Sequence, residues 1–241
     1  MKRLKFSLLA ATALFTAIVT NAQTIDEIVA KHTEAMGGAD KISQVNSVYI
    51  ESTMQAMGNE SLTTTTILNG KGYKSEAEMM GNKLVQVYTD KGGWAINPMA
   101  GASTATPMED EQYKAGEEQV YIGGALIDYA AKGSKAELLP QEKVGAVDAF
   151  KIKLTNKDNV ETIYYIDPAT YYVIQAVKQV NMMGQSMDLT INFSDYKKID
   201  EGLVVAYTTD INYGGQFSLT STIKKIEINK TIDPAIFEMP K

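Results

Sequence analysis

The stretch Val45–Ile96, VNSVYIESTMQAMGNESLTTTTILNGKGYKSEAEMMGNKLVQVYTDKGGWAI, decides the fold. Along its first segment Val48, Ile50, Met54 and Ala56 share one face, while Tyr49, Glu51, Thr53 and Gln55 share the other. A period of two marks a strand with one face on a core and one in water. Between the alternating segments stand Met57-Gly58-Asn59, Gly70-Lys71-Gly72, Met80-Gly81-Asn82 and Asp90-Lys91-Gly92-Gly93, the residue types that tight reversals demand. The spacing predicts five consecutive antiparallel strands: Val45–Ala56, Glu60–Asn69, Gly72–Met79, Lys83–Thr89 and Gly93–Ile96.

Toward the C-terminus the alternation stops. Asn97–Thr106 (NPMAGASTAT) reads as a small-residue loop, and Pro107–Ala131 as two helical pieces divided near Gly123-Gly124. Thr106 suits the cap of the first piece and Pro107 its first turn, and Glu109, Asp110 and Glu111 complement the positive end of the helix dipole. The second piece offers Leu126, Ile127, Tyr129 and Ala130 to a partner surface. From Lys135 the period of two returns in seven segments: Lys135–Gln141, Val147–Asn156, Val160–Asp167, Tyr171–Asn181, Met187–Ile199, Leu203–Tyr213 and Phe217–Ile228. Phe150, Ile152 and Leu154 form one inward face, Met187, Leu189, Ile191 and Phe193 a second, and Leu203, Val205, Tyr207, Ile211 and Tyr213 a third.

Toward the N-terminus, Thr24–Met36 places Ile25, Ile28, Val29, His32 and Met36 on one helical stripe. Thr24 and Glu27 are spaced as a capping box, and Gly37-Gly38 acts as the stop. A short helical piece, Ala39–Gln44, leads into the first strand. Strands of ten residues reach about 33 Å at ~3.3 Å each, and sheets that long curl. The expected fold is mainly β (α+β): a curved antiparallel, incomplete β-barrel of eleven to twelve strands wrapped around a helical lid or plug.

Met1–Ala22 reads as a cleaved secretory signal peptide, with Lys2, Arg3 and Lys5, an apolar run from Phe6 to Val19, then Thr20-Asn21-Ala22. The run is short for the ~30 Å hydrocarbon core, and no later stretch is long and apolar enough to span it. Removal leaves 20 Lys against 29 Asp and Glu, a net charge of −9, and no arginine, because Arg3 is the only one in the chain. A chain so acidic lacks the basic footprint of nucleic-acid binding. Without arginine, the planar clamp for carboxylates and phosphates is missing as well.

Cys 0 excludes thiol nucleophiles and Cys-ligated metals, and His 1 excludes a His-based metal cluster. No nucleophile elbow, phosphate loop, dinucleotide fingerprint or EF-hand loop is present. The acidic run Glu109-Asp110-Glu111 matches a solvated helix start better than a catalytic pair. The expectation is a protein without cofactor or catalytic residues.

Methionine is the compositional excess, at 12 residues. Met57, Met80 and Met183 stand beside turn glycines, and Met54, Met79, Met182 and Met187 flank the same tips. Flexible thioethers line apolar surfaces that adapt to variable ligands, so these residues are candidates for a soft mouth around an acyl chain; core filling is the competing explanation. Trp94 is a candidate cavity wall or docking anchor, against a purely structural place at a sheet end. Leu189, Ile191 and Phe193 complete the candidate apolar lining, and His32 reads as a packed core histidine. Burying a chain of about fourteen carbons at ~0.8 kcal/mol per methylene gives on the order of 10 kcal/mol before ordering costs.

Several stretches resemble the LolA/LolB-like superfamily, in particular the bacterial outer-membrane lipoprotein-sorting proteins. They are TIDEIVAKHTEAMGGADKISQVNSVYIEST, YIGGALIDYAAKG with AELLPQEKVGAVDAFKIKLT, YYIDPATYYVI, FSDYKKIDEGLVV and the closing INKTIDPAIFEMP. The resemblance implies a single domain over residues 23–241, with an incomplete barrel of about eleven strands over a helical lid and an apolar cavity for acyl chains. In the family's carriers an arginine inside the barrel holds the lid and engages cargo, and no arginine remains here to do so. The expected function is that of an exported, periplasmic or secreted carrier or chaperone. Its partners would be an acyl chain, lipid or lipidated protein, and an envelope protein. The alternative is a non-enzymatic envelope sensor or protein-interaction module with a filled interior.

Overall fold

The computed structural model describes residues 23–79, 81–182 and 185–240. The signal-peptide segment, Met80 and Met183 lie outside the described residues.

The chain opens with α1 (Ile25–Ala35), which carries the capping box that its sequence signals: Thr24 Oγ1 accepts from Glu27 N–H, and the Glu27 carboxylate accepts from Thr24 N–H. Its end is closed by Gly38 N–H donating to the Thr33 carbonyl. After α2 (Ala39–Ser43) come β1 (Ser47–Ala56), β2 (Asn59–Leu68), β3 (Gly72–Met79), β4 (Asn82–Thr89), β5 (Gly92–Asn97) and β6 (Ala102–Pro107). The short α3 (Asp110–Gly116) runs into a 3-10 turn at Glu117–Val120. Seven strands complete the sheet: β7 (Lys135–Val144), β8 (Val147–Thr155), β9 (Glu161–Ile166), β10 (Val173–Met182), β11 (Gln185–Lys198), β12 (Val204–Tyr213) and β13 (Phe217–Ile228). A 3-10 turn at Pro234–Phe237 follows.

All thirteen strands form one open, curved antiparallel sheet in the order β6-β5-β4-β3-β2-β1-β13-β12-β11-β10-β9-β8-β7. Two meanders are thus joined back to back where β1 pairs with β13. The long strands with turn residues between them fall where the alternation predicts, β3 and β13 at the predicted residues. The edge strand β7 is blunted by Pro140, by an irregularity between Leu139 and Glu142, and by charges along its length, which discourages pairing with another chain.

Two readings of the middle segment are corrected. Ala102–Pro107 is a strand, not a loop, so the sheet has thirteen strands rather than twelve and Pro107 ends a strand instead of opening a helix. The cap of α3 is accordingly Glu109, with no side-chain cap bond, and not Thr106. The second helical piece is absent: residues 121–133 run as successive turns, with positive φ at Gly123, Gly124, Asp128 and Gly133. Four left-handed residues in eleven cannot be accommodated in a right-handed helix. Leu126 and Ile127 are nevertheless buried, so the segment still delivers its apolar side chains to the core.

The strand register assigns the faces. On the concave side, α1 and the turn segment cover β8–β10, where Ile28, Val29 and Leu126 meet Ile152, Leu154 and Ile166. Next to them α2 and Ile122 cover the start of β1 and the end of β13, through Val48, Ile50, Ile226 and Ile228. On the opposite, convex side of β3–β5 the C-terminal 3-10 turn packs Phe237 among Val85, Val87 and Trp94. Gly72 makes this possible, because a Cβ there would lie 2.6 Å from the Phe237 ring.

Candidate functional site

Helices and turns cover the concave face at one end of the sheet, the end where β2 turns into β3 and β11 into β12. At the other end β1, β3, β10 and β12 finish together, which brings Met57, Met79 and Met187 to one rim. Between cover and rim, the cross-strand register puts Met54 beside Ser61 and Ser221, Ile211 beside Ile191 and Leu219, and Met187 beside Val180 on the concave side. Each of these residues is only half-buried, although each belongs to the inward face. The surface is an apolar trough with scattered hydroxyls.

The curl brings distant strands face to face. Tyr213 of β12 lies within electrostatic reach of Tyr73 of β3 and Tyr88 of β4, across the four strands between β12 and β4 in the sheet. The Tyr73 and Tyr88 rings are 6.0 Å apart, and Tyr88 lies 6.3 Å from Tyr113 of α3. The helix approaches this closely because residue 116 is glycine; a Cβ there would lie 2.3 Å from the Tyr88 ring. Burial raises the ionisation of Tyr73, Tyr88 and Tyr164 above the ordinary phenol range, so all three stay neutral donors.

One cation sits among them. Lys178 of β10 points to the concave side, in register with Leu189 of β11, and its Nζ donates to the Ala115 carbonyl at the end of α3, 2.7 Å away. That carbonyl is one of those a helix leaves unpaired at its C-terminus, where a positive charge is favoured. Burial lowers the Lys178 ammonium below its usual range, partly offset by Glu118. The Glu118 carboxyl is itself raised, first by burial. Lys178 thus links β10 to the C-terminal end of α3. Sequence reading passed over it, although Ala176, Lys178 and Val180 stand in phase on an inward face. The interior is therefore less purely apolar than the alternation implies.

The candidate lining residues separate into groups. Met54, Met79 and Met187 are half-buried and Leu189 is buried; Ile191 and Phe193 are half-buried on the same face as Leu189, and Phe193 reaches the core under α1. Met57 is 77% exposed at the β1–β2 tip. Met182 is the last residue of β10. Trp94 stands apart from them: it is buried on the convex side and its Nε1 donates to the Phe237 carbonyl at 2.9 Å, which gives it a structural partner in the C-terminal tail. His32 is buried in α1, its Nδ1 2.8 Å from the Tyr171 carbonyl. Because a carbonyl can only accept, Nδ1 carries the proton, and burial holds the ring's pKa below its ordinary value.

Two clefts flank the β1–β2 tip. One, of about 360 Å³, lies between that tip and the start of β13, from Gln55 and Met57 to Leu219 and Thr220. The other, of about 150 Å³, lies toward β3, between Met57 and Met79. Among the described residues no group of His, Cys, Asp or Glu is placed to hold a metal ion, and no helix is long and apolar enough to cross a membrane.

No family model and no curated protein matches the chain. Solved structures do. A domain described as an outer-membrane lipoprotein-sorting protein from Vibrio parahaemolyticus superposes with TM-score 0.59 at 13% identity, covering 89% of this chain and 97% of that one. A DUF1329 family protein from Desulfovibrio piger and a LolA superfamily protein from Nitrosomonas europaea each give TM-score 0.58 at 13% identity, covering 90% of this chain and 98% of theirs. At that identity the likeness is one of architecture: the chain shares the fold of these structures, an open, curved antiparallel sheet with few helices.

Proposed function

We propose that the protein is an exported carrier or chaperone that holds an acyl-type ligand, a lipid or a lipidated protein, on the concave side of its sheet, and that it binds this cargo without transforming it. One observation carries the reading. The inward faces of β1, β11, β12 and β13 near the rim present Met54, Leu219, Ile211 and Met187 with no helix among the described residues packed over them, whereas the same faces at the other end are covered. Apolar surface left uncovered inside a curl is stabilised by an apolar occupant, at ~25 cal/mol per Å² removed from water. The sorting and LolA proteins that share the architecture support the choice of lipid cargo. Export rests on the Met1–Ala22 leader, with a periplasmic or secreted single domain over residues 23–241 after its removal.

Native mass spectrometry of protein purified from its own host, with lipid extraction, tests the reading. A stoichiometric copurifying lipid, or saturable uptake of a fluorescent acyl probe, is the expected result. Protein that is lipid-free and also fails to take up the probe would show that the trough is not a cargo site.

A further inference from the structure

The Lys178 ammonium is incompletely used. It has three N–H donors, and the Ala115 carbonyl takes one of them. Lys178 makes no ion pair within 4.0 Å among the described residues. Glu118, the nearest negative partner, acts on it only at longer range, and burial raises that carboxyl toward its neutral form. Lys132, another cation near Glu118, differs: its Nζ donates to both the Gly124 and Ile127 carbonyls and lies 5.0 Å over the Tyr121 ring. Lys178 is thus largely enclosed by protein, with the Ala115 carbonyl as its hydrogen-bond acceptor among the described residues. Such a group is costly to bury unless an acceptor comes to it.

Its position supplies the second observation. Above Lys178 on β10 stands Val180, about 7 Å along the strand at ~3.3 Å per residue, with Met187 of β11 paired beside it. A polar head at the lysine therefore continues into an apolar path toward the open end. Resting on the carrier reading above, we propose that Lys178 anchors the head group of a carboxylate amphiphile, a long-chain fatty acid, whose alkyl chain lies along β10 and β11 past Val180 and Met187 toward the open end of the sheet. A singly charged carboxylate with two oxygens matches the two spare donors. A doubly charged phosphate is disfavoured beside Glu118, and in a chain with no arginine after the leader.

Equilibrium dialysis of palmitate, methyl palmitate and hexadecyl phosphate against the purified protein tests this. Palmitate is expected to bind about tenfold more tightly than its methyl ester, as one charge-assisted hydrogen bond of about 1.5 kcal/mol predicts. Lys178→Met should erase the preference while leaving ester binding unchanged, Lys178→Arg should keep it, and Glu118→Gln should raise palmitate affinity alone. Equal binding of acid and ester by the wild type overturns the inference and leaves the carrier reading standing. So does tighter binding of hexadecyl phosphate, or an equal loss of acid and ester in Lys178→Met, which would make Lys178 a strut for α3 only. Failure of all three probes overturns both.

Discussion

The two faces of this sheet treat apolar surface in opposite ways. On the convex side of β3–β5 the chain's own tail closes the surface: Phe237 fits the socket at Gly72, Trp94 hydrogen-bonds to its carbonyl, and Val87 is completely buried. On the concave side toward the rim, Met54, Met79 and Met187 are only half-buried, and among the described residues none of them belongs to a core cluster. Each face has a docking glycine, Gly72 for the tail and Gly116 for α3 against Tyr88, yet only the convex patch is finished. A surface that is made to be occupied is left open, and one that is made to hold is sealed by residues of matching shape.

If the convex patch is purely structural, breaking it costs stability and nothing else. Phe237→Ala removes a buried ring that no neighbour can replace, and should destabilise the protein by about 3–5 kcal/mol in urea unfolding. Acyl-probe affinity of the folded fraction should be unchanged. Loss of binding along with stability would mean that the tail shapes the trough and that the two faces are coupled.

The converse change is made at the trough. Met54→Asp and Met79→Asp place a carboxylate on half-buried positions that face one another's neighbours across β2. Desolvating that charge under an alkyl chain should lower acyl-probe uptake by more than tenfold. Because water already reaches both sites, the melting temperature should move by only a few degrees. Unchanged uptake would place the cargo elsewhere than the rim.

What could be read from the sequence follows this division. Regular alternation and Gly-bearing turns located the long strands, since each reversal needed a residue that tolerates positive φ, as Gly58, Gly81 and Gly214 have. β6 escaped because Ala102–Pro107 is built of small residues with weak strand preference, and its pairing with β5 supplies the order. Residues 121–133 misled in the other direction: the spacing of Leu126, Ile127 and Ala130 suits a helix, but Gly123-Gly124 and Asp128 turn the chain left-handed. Trp94 could not be assigned to a face from alternation because both faces of β5 are covered, Gly93 by Met108 and Tyr113, and Trp94 by Phe237. Lys178 was hidden by its charge, although its phase with Ala176 and Val180 was the available signal.

A smaller effect concerns how the lid end is fixed. His32 is buried in its neutral form against the Tyr171 carbonyl, with its pKa held below the unfolded value of 6.5. Below pH 6.5 the unfolded chain binds a proton that the folded chain refuses, so stability is complete above that value and falls as pH drops toward the folded pKa. Urea titrations from pH 7.5 to 5 should show this decline, and His32→Gln should flatten it. The convex patch contributes nothing to this limb, so Phe237→Ala should shift the whole curve without changing its slope.

Met57 gives the finest discrimination, because turn chemistry and cargo chemistry pull in opposite directions there. It adopts φ +50 at the β1–β2 tip, a conformation that asparagine and glycine take with less strain than an unbranched apolar side chain. Its side chain is 77% exposed and borders both clefts. Met57→Asn should therefore stabilise the fold by a few tenths of a kcal/mol, as relief of an unfavourable turn residue does. A methionine kept for the turn would leave uptake unchanged on replacement. A methionine kept for the mouth should weaken acyl-probe binding about two- to threefold while the protein becomes slightly more stable, the loss expected when part of one methylene-sized contact is removed. Opposite signs in the two measurements assign the residue to the cargo path, because no purely structural role makes a protein more stable and a poorer binder in one step.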